Sequence, residues 1–167
     1  MKETTYRHLS HGFGPVYDES SAILILGSFP SVKSREMNFY YGHPQNRFWP
    51  LMSRILDCEV PEDAAGRKKL MLEKHIALWD TIEECDIVGS SDSSIKNAVP
   101  TDIVRILDAA DIKEIFCNGA ASWNLFMKYL EPVFRRTPVK LPSTSPANAA
   151  WSLDRLYSEW RNIRRFI

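Results

Sequence analysis

The chain has 167 residues, 44% of them hydrophobic and 25% charged, a balance that suits a single globular domain spanning 1–167. At this length one core buries roughly 70% of the unfolded chain's surface, so no disulfide or metal staple is required. The 21 basic and 21 acidic residues cancel, which excludes a polybasic or histone-like protein while leaving room for a local cationic face. Cys58, Cys85 and Cys117 form no C-x-x-C pair, so structural zinc, an iron–sulfur cluster and a disulfide framework are not expected. No apolar run approaches the ~20 residues of a membrane span. The first residues do not read as a signal peptide, and a reduced, cytoplasmic setting is expected.

The first clear element is residues 22–26, five apolar residues ended by Gly27. Such a run without polar alternation suits a strand buried on both faces, as in a parallel sheet. Residues 46–56 return Phe48, Trp49, Met52, Ile55 and Leu56 to one helical face. Further strands are expected at 76–79, 115–117 and, weakened by Lys140, 139–141. Thr101 is placed to cap a helix holding Ile103, Ile106 and Leu107. Residues 120–130 carry Trp123, Phe126, Met127 and Leu130 on one side, and Ser152 is placed to cap a closing helix. Strands alternating with helices predict an α/β fold, three layers α/β/α around a parallel sheet of about four strands.

Charge is uneven along the chain. Lys33, Arg35, Arg47 and Arg54 face only Glu36 between 27 and 54, and residues 133–150 hold Arg135, Arg136 and Lys140 without an acid. Two connections are too specialised for ordinary loops. Residues 27–46 contain no evident regular element and follow the carboxyl end of the first strand, where open α/β sheets bind ligands. They mix hydroxyls, Lys33 and Arg35 with the consecutive aromatics Phe39, Tyr40 and Tyr41, the ingredients of a pocket for a flat heterocycle. Residues 141–149 combine two prolines with small and hydroxyl side chains, a rigid loop that lets the backbone approach a phosphate. Both loops follow strands of one sheet, so they share an edge and suggest a phosphodiester ligand. His8 and His11 lie near the amino terminus, but no neighbouring carboxylate or cysteine pattern completes a metal site. Residues 89–94 are rich in serine yet lack the glycine spacing and lysine of a P-loop, and read as a solvated connection beside the pocket.

At these residues the chain resembles the uracil-DNA glycosylase superfamily. Gly27, Ser28, Phe29, Pro30 and Ser31 stand where the superfamily has its first motif, a glycine-x-x-proline turn after the first strand. His43 to Trp49, read as H-P-Q-N-R-F-W, is similar to a stretch of the mismatch-specific uracil/thymine glycosylases. Pro142 to Asn148, P-S-T-S-P-A-N, matches the second, DNA-inserting motif. The three runs together most resemble the hypoxanthine-DNA glycosylases. That resemblance implies a cofactor-free, monomeric enzyme acting on DNA with a deaminated base, with no membrane partner. The alternatives are a uracil or thymine mismatch glycosylase and a binding homologue that has lost catalysis.

The mismatch-specific enzymes hold the attacking water with an asparagine at the third position of the first motif, and here that position is Phe29. The resemblance to the hypoxanthine branch points instead to Asn38 as the water-holding residue, with a turn or cap residue as the competing reading. Phe29 and Tyr41 are expected against the flipped base, Tyr41 by stacking. Asp80 and Asn118 each follow a strand, where their side chains can read a base edge or merely end the strand or cap the next helix. Ser143, Thr144 and Ser145 are expected on phosphates, with Asn148 beside them, and Ser31, Lys33, Ser34 and Arg35 on the DNA backbone. His43, followed by proline, reads as structural.

Overall fold

The computed structural model describes residues 5–167. Strand β1 (Arg7–Ser10) precedes β2 (Ile23–Gly27), and helices α1 (Val32–Met37), α2 (Phe48–Leu56) and α3 (Ala64–Glu73) lead to β3 (Ile76–Asp80). The chain continues through Thr81 into β4 (Ile82–Ile87), passes a 3-10 turn (Asp92–Ser94) and returns as β5 (Lys96–Pro100). Then come α4 (Val104–Ala109), β6 (Glu114–Asn118), α5 (Ala120–Tyr129) and α6 (Glu131–Phe134). Strand β7 (Val139–Leu141), helix α7 (Leu153–Trp160) and a 3-10 segment (Arg161–Phe166) complete the described chain.

Four strands form the expected parallel sheet, ordered β3-β2-β6-β7, with helices flanking it. β2 is central, and its five residues are all buried because both faces of the sheet are covered. On α2, Phe48, Trp49, Leu51, Met52 and Ile55 are buried, which is what its apolar face predicted. Ser152 caps α7 by accepting the Arg155 N–H, and Trp160 on that helix donates its indole N–H to Pro142 O at 2.8 Å. The order reverses direction at β2, since β3 lies on one side of it and β6 on the other. That places a crevice at the carboxyl ends of β2 and β6.

Three features differ from expectation. A second, antiparallel sheet β1-β4-β5 extends from the end of β3. Its outer strands are mostly exposed and β4 carries Glu83, Glu84 and Asp86, so no apolar run marked it. The stretch 27–46 contains a short helix, α1, capped by Ser31. Thr101 caps no helix. It is buried, and its hydroxyl donates to Asp80 O (2.8 Å) and Thr81 O (3.2 Å), tying down the end of β3, while α4 begins three residues later.

Candidate active site

A cleft of about 340 Å³ opens at the carboxyl edge of the parallel sheet. Its floor is set by the last residues of three adjacent strands: Gly27 of β2, Asp80 of β3 and Asn118 of β6. Gly27 and Asp80 pair directly across the sheet. A β-carbon on residue 27 would lie 2.3 Å from Asp80 Oδ1, so only glycine lets the carboxylate cross there. Asp80 Oδ2 meets His11 Nε2 at 2.7 Å, and both side chains are almost wholly buried. Gly12, at φ 83°, turns the chain so that the Phe13 carbonyl comes back onto His11 Nδ1. Burial opposes a charged ring, but Asp80's hydrogen bond and charge, the Phe13 carbonyl and the charge of Glu83 outweigh it, and the His11 pKa is raised above 6.5.

The three consecutive aromatics separate in the structure. Phe39 stacks on Trp49, and Tyr40 is buried with its hydroxyl on Gly14 O. Tyr41 lines the cleft with its ring stacked on Phe48, centroids 4.0 Å apart. It holds a left-handed backbone, φ 54°, which an aromatic side chain rarely adopts. Its hydroxyl is buried beside Asn118, and the hydroxyl proton meets no acceptor. Burial, then the charge of Asp80, holds the phenol far above its ordinary pKa, so it remains a donor. Phe29 also lines the cleft, and its ring belongs to an apolar cluster with Ile82, Cys85 and Ile87 under the second sheet. A polar residue at position 29 would face that apolar cluster.

The second loop is held from inside. The Arg47 guanidinium donates to the carbonyls of Thr144, Ser145, Asn148 and Trp151. Asn118 Nδ2 donates to Thr144 Oγ1 and its Oδ1 accepts the Thr144 N–H, both at 3.0 Å. Thr144 Oγ1 donates onward to Asn46 Oδ1 at 2.8 Å. Asn118 therefore braces the loop with both ends of its amide, and one amide proton is left for Tyr41. Thr144 is fully buried with its hydroxyl engaged in both directions, which corrects its expected phosphate contact. Replacing Thr144 with valine keeps the shape but takes the acceptor from Asn118 Nδ2 and one of two donors from Asn46 Oδ1. The expected cost is about 2 kcal/mol in urea unfolding, together with a loss of activity; an unchanged unfolding midpoint would contradict this role.

The remaining expected contacts divide in the same way. Ser34 lines the cleft but is buried, and its hydroxyl takes the Gly42 N–H. Asn148 donates to Ser143 O within its own loop. Ser31, Ser143 and Ser145 line the cleft, and Lys33 is exposed beside Glu36 at 3.3 Å, outside the cleft lining. Arg35 reaches Gly89 O. Asn38 is the exposed left-handed cap of α1, its backbone N–H on Ser34 O, and it is not among the residues lining the cleft. Sequence reading had assigned no role to Asp92. It is an exposed residue whose carboxyl turns inward to accept the Ser28 hydroxyl at 2.6 Å, and it lines the cleft. Burial raises the Asp92 pKa, the Ser28 bond lowers it, and the charge of Asp80 raises it again, leaving it above its ordinary value. His11 was also missed, because its carboxylate partner lies 69 residues away. Its flanking glycine at position 12 is the local signal. Among the described residues, no group of three or more His, Cys, Asp or Glu is placed to hold a metal ion, and no helix is long and apolar enough to cross a membrane.

Fold and site together define an α/β protein with a ligand cleft at the topological switch point of its parallel sheet, walled by Phe29 and Tyr41 and rimmed by two hydroxyl-bearing loops. The chain belongs to the uracil DNA glycosylase superfamily, whose family model matches residues 15–163. A hypoxanthine DNA glycosylase of Methanosarcina acetivorans is 35% identical over 159 residues, 94% of this chain and 99% of that protein. Another of that name, from Methanosarcina barkeri, is 33% identical over 126 residues, 74% of this chain and 77% of the relative. A solution NMR structure from M. acetivorans, provisionally assigned as a uracil DNA glycosylase, is 31% identical with a TM-score of 0.78, covering 92% of this chain and 95% of that one.

Proposed function

We propose that this protein is a monofunctional DNA glycosylase that hydrolyses the N-glycosidic bond of a flipped deaminated base, most readily hypoxanthine. The observation that carries the reading is the cleft itself. It has a polar floor at Asp80, apolar walls at Phe29 and Tyr41, and a volume that admits one base. A relative bearing the name hypoxanthine DNA glycosylase that aligns over 94% of this chain supports the choice of base. Ser31, Ser143 and Ser145 at the rim offer hydroxyls to flanking phosphates, and Lys33 adds charge nearby. Flipping costs a few kcal/mol and least at a mismatch, so inosine opposite thymine is favoured before any contact is made.

Departure of the base leaves an oxocarbenium-like sugar that a water attacks at C1′. With the base seated on the floor, the sugar lies at the cleft mouth, where the Ser28-bonded carboxylate of Asp92 can orient that water and face the developing positive charge. Asn38 joins this role if the end of α1 closes over the bound nucleotide. Comparing Asp92→Asn with Asn38→Ala in single-turnover assays separates the two. The same reading has the enzyme act as a monomer, without a cofactor, inside the cell with its DNA.

Matched duplexes carrying one inosine, one uracil or one xanthine, incubated with chelator and then cleaved with alkali, test the proposal. Inosine is expected to be processed roughly tenfold or more faster than uracil. Preferential uracil cleavage would place the chain with the mismatch-specific enzymes. DNA binding with no cleavage at any base would make it a binding homologue.

A further inference from the structure

A second cavity, of about 510 Å³, adjoins the cleft, and the mechanism leaves it unused. The two share Asp92, Ser143, Ser145 and Ala147, so the serine-bearing loop borders both. Lys140 and Trp151 line only the second. Lys140 is exposed on the edge strand β7, with Nζ 5.5 Å from the centre of the Trp123 ring. Among the described residues it makes no ion pair. Trp151 is half-buried, and the Arg155 guanidinium lies over its ring at 3.9 Å, so a second cation backs that wall. Asp92, at the border with the cleft, is the one acid among the described residues lining this cavity. The loop between the cavities is fixed by the Arg47 guanidinium on its carbonyls and by Asn148 on Ser143 O. The cavity therefore has a preset shape: hydroxyls toward the cleft, an apolar wall at Pro142 and Trp151, and a cation at Lys140.

We propose that this second cavity is the track for the DNA strand beside the lesion, with one flanking phosphate on Lys140 and a deoxyribose against Pro142 and Trp151. The proposal rests on the DNA-binding part of the glycosylase reading and deepens it. A sugar–phosphate backbone alternates an apolar ring with a negative charge, and the cavity alternates an apolar wall with a cation in the same way. A small free anion has no use for the apolar wall, and an apolar ligand has none for Lys140. A neighbouring base is the poorer occupant, because it would have to leave the stack as the lesion base does. The backbone reaches the cavity without that second unstacking. Charge also orders the strand. Asp92 at the border repels a phosphate and faces the sugar of the flipped nucleotide, while Lys140 attracts the phosphate further along. Such a contact carries no base information, so it holds any sequence equally and weakens as salt rises. It gives a chain of balanced charge a local grip on DNA.

The test is equilibrium binding, by fluorescence anisotropy, to a duplex carrying a tetrahydrofuran abasic analogue over a series of NaCl concentrations. Lys140→Ala is expected to weaken binding about tenfold and to lower the slope of log Kd against log salt by about one. Lys140→Arg keeps the charge and should restore the slope. Lys113→Ala is the control: this exposed lysine stands just before β6, at the amino edge of the sheet, and its loss should leave the slope as in the wild type. Shortening the lesion strand one nucleotide at a time from each end then locates the contact. At one step the wild type should lose about tenfold in affinity, and Lys140→Ala should lose nothing at that step. A slope unchanged in Lys140→Ala, an equal drop in Lys113→Ala, or a truncation series in which both proteins lose affinity in parallel overturns the strand track. Because the assay reads binding, a wild type that grips this duplex but leaves inosine uncleaved would sink the glycosylase reading and not the track. Absence of any DNA binding by the wild type overturns both.

Discussion

Arg47→Ala is expected to lower the single-turnover rate by about 1000-fold and to destabilise the protein by about 4 kcal/mol in chemical denaturation. The guanidinium feeds four backbone carbonyls between Thr144 and Trp151, at 2.8 Å to Ser145 O and 3.0 Å to Asn148 O among others, and the Arg47 backbone N–H adds a bond to Thr144 O. Hydrogen bonds from a charged donor contribute about 1.5–3 kcal/mol each, and these share one donor group, so the total is less than the sum. The catalytic loss is the larger effect. Without the clamp, the loop carrying Ser143 and Ser145 is no longer held against the cleft, and a misplacement of about 1 Å is enough to cost 100-fold. Arg47→Lys keeps the charge but loses the planar fork, so it should recover only part of either quantity. A destabilisation below about 1 kcal/mol with an unchanged rate would contradict the clamp.

Gly27→Ala is expected to cost about 3 kcal/mol and to abolish most activity on inosine. The new methyl would lie 2.3 Å from Asp80 Oδ1, while His11 holds the carboxylate and the Thr101 hydroxyl holds the Asp80 main-chain carbonyl. Either β2 shifts within a fully buried sheet or the carboxylate rotates off His11 and leaves a buried ring nitrogen without its partner. Gly14→Ala is the matched control: nothing lies within 4 Å of its would-be β-carbon, so the expected change is within about 0.5 kcal/mol. Thermal and guanidinium unfolding of the two variants, with inosine cleavage in parallel, measures the difference. Equal stabilities would mean that Asp80 is free to move.

The parallel sheet was legible because strands buried on both faces must be apolar, as β2 is and as β3 is up to its closing Asp80. The antiparallel sheet was not, because β1 and β5 expose most of their residues and their pairing with β4 arises from distant chain contacts. The same division runs through the site. Asp80 and Asn118 could be singled out since each follows or ends a strand, and the carboxyl edge of a parallel sheet is where ligands sit, while Phe29 was marked by its place in the resembled motif. His11 could not be linked to Asp80, 69 residues away, by any local pattern.

Composition, apolar runs and the order of loops after strands therefore determined the α/β class, the sheet and the edge that bears the cleft, because burial on two faces and strand direction leave a mark on consecutive residues. Which hydroxyl of Ser143, Thr144 and Ser145 turns inward, whether Asn38 faces the cleft or caps α1, and which partner holds Asp80 were decided only in the folded chain. Those outcomes depend on hydrogen-bond partners supplied from remote segments, and a linear sequence does not display the distances between them.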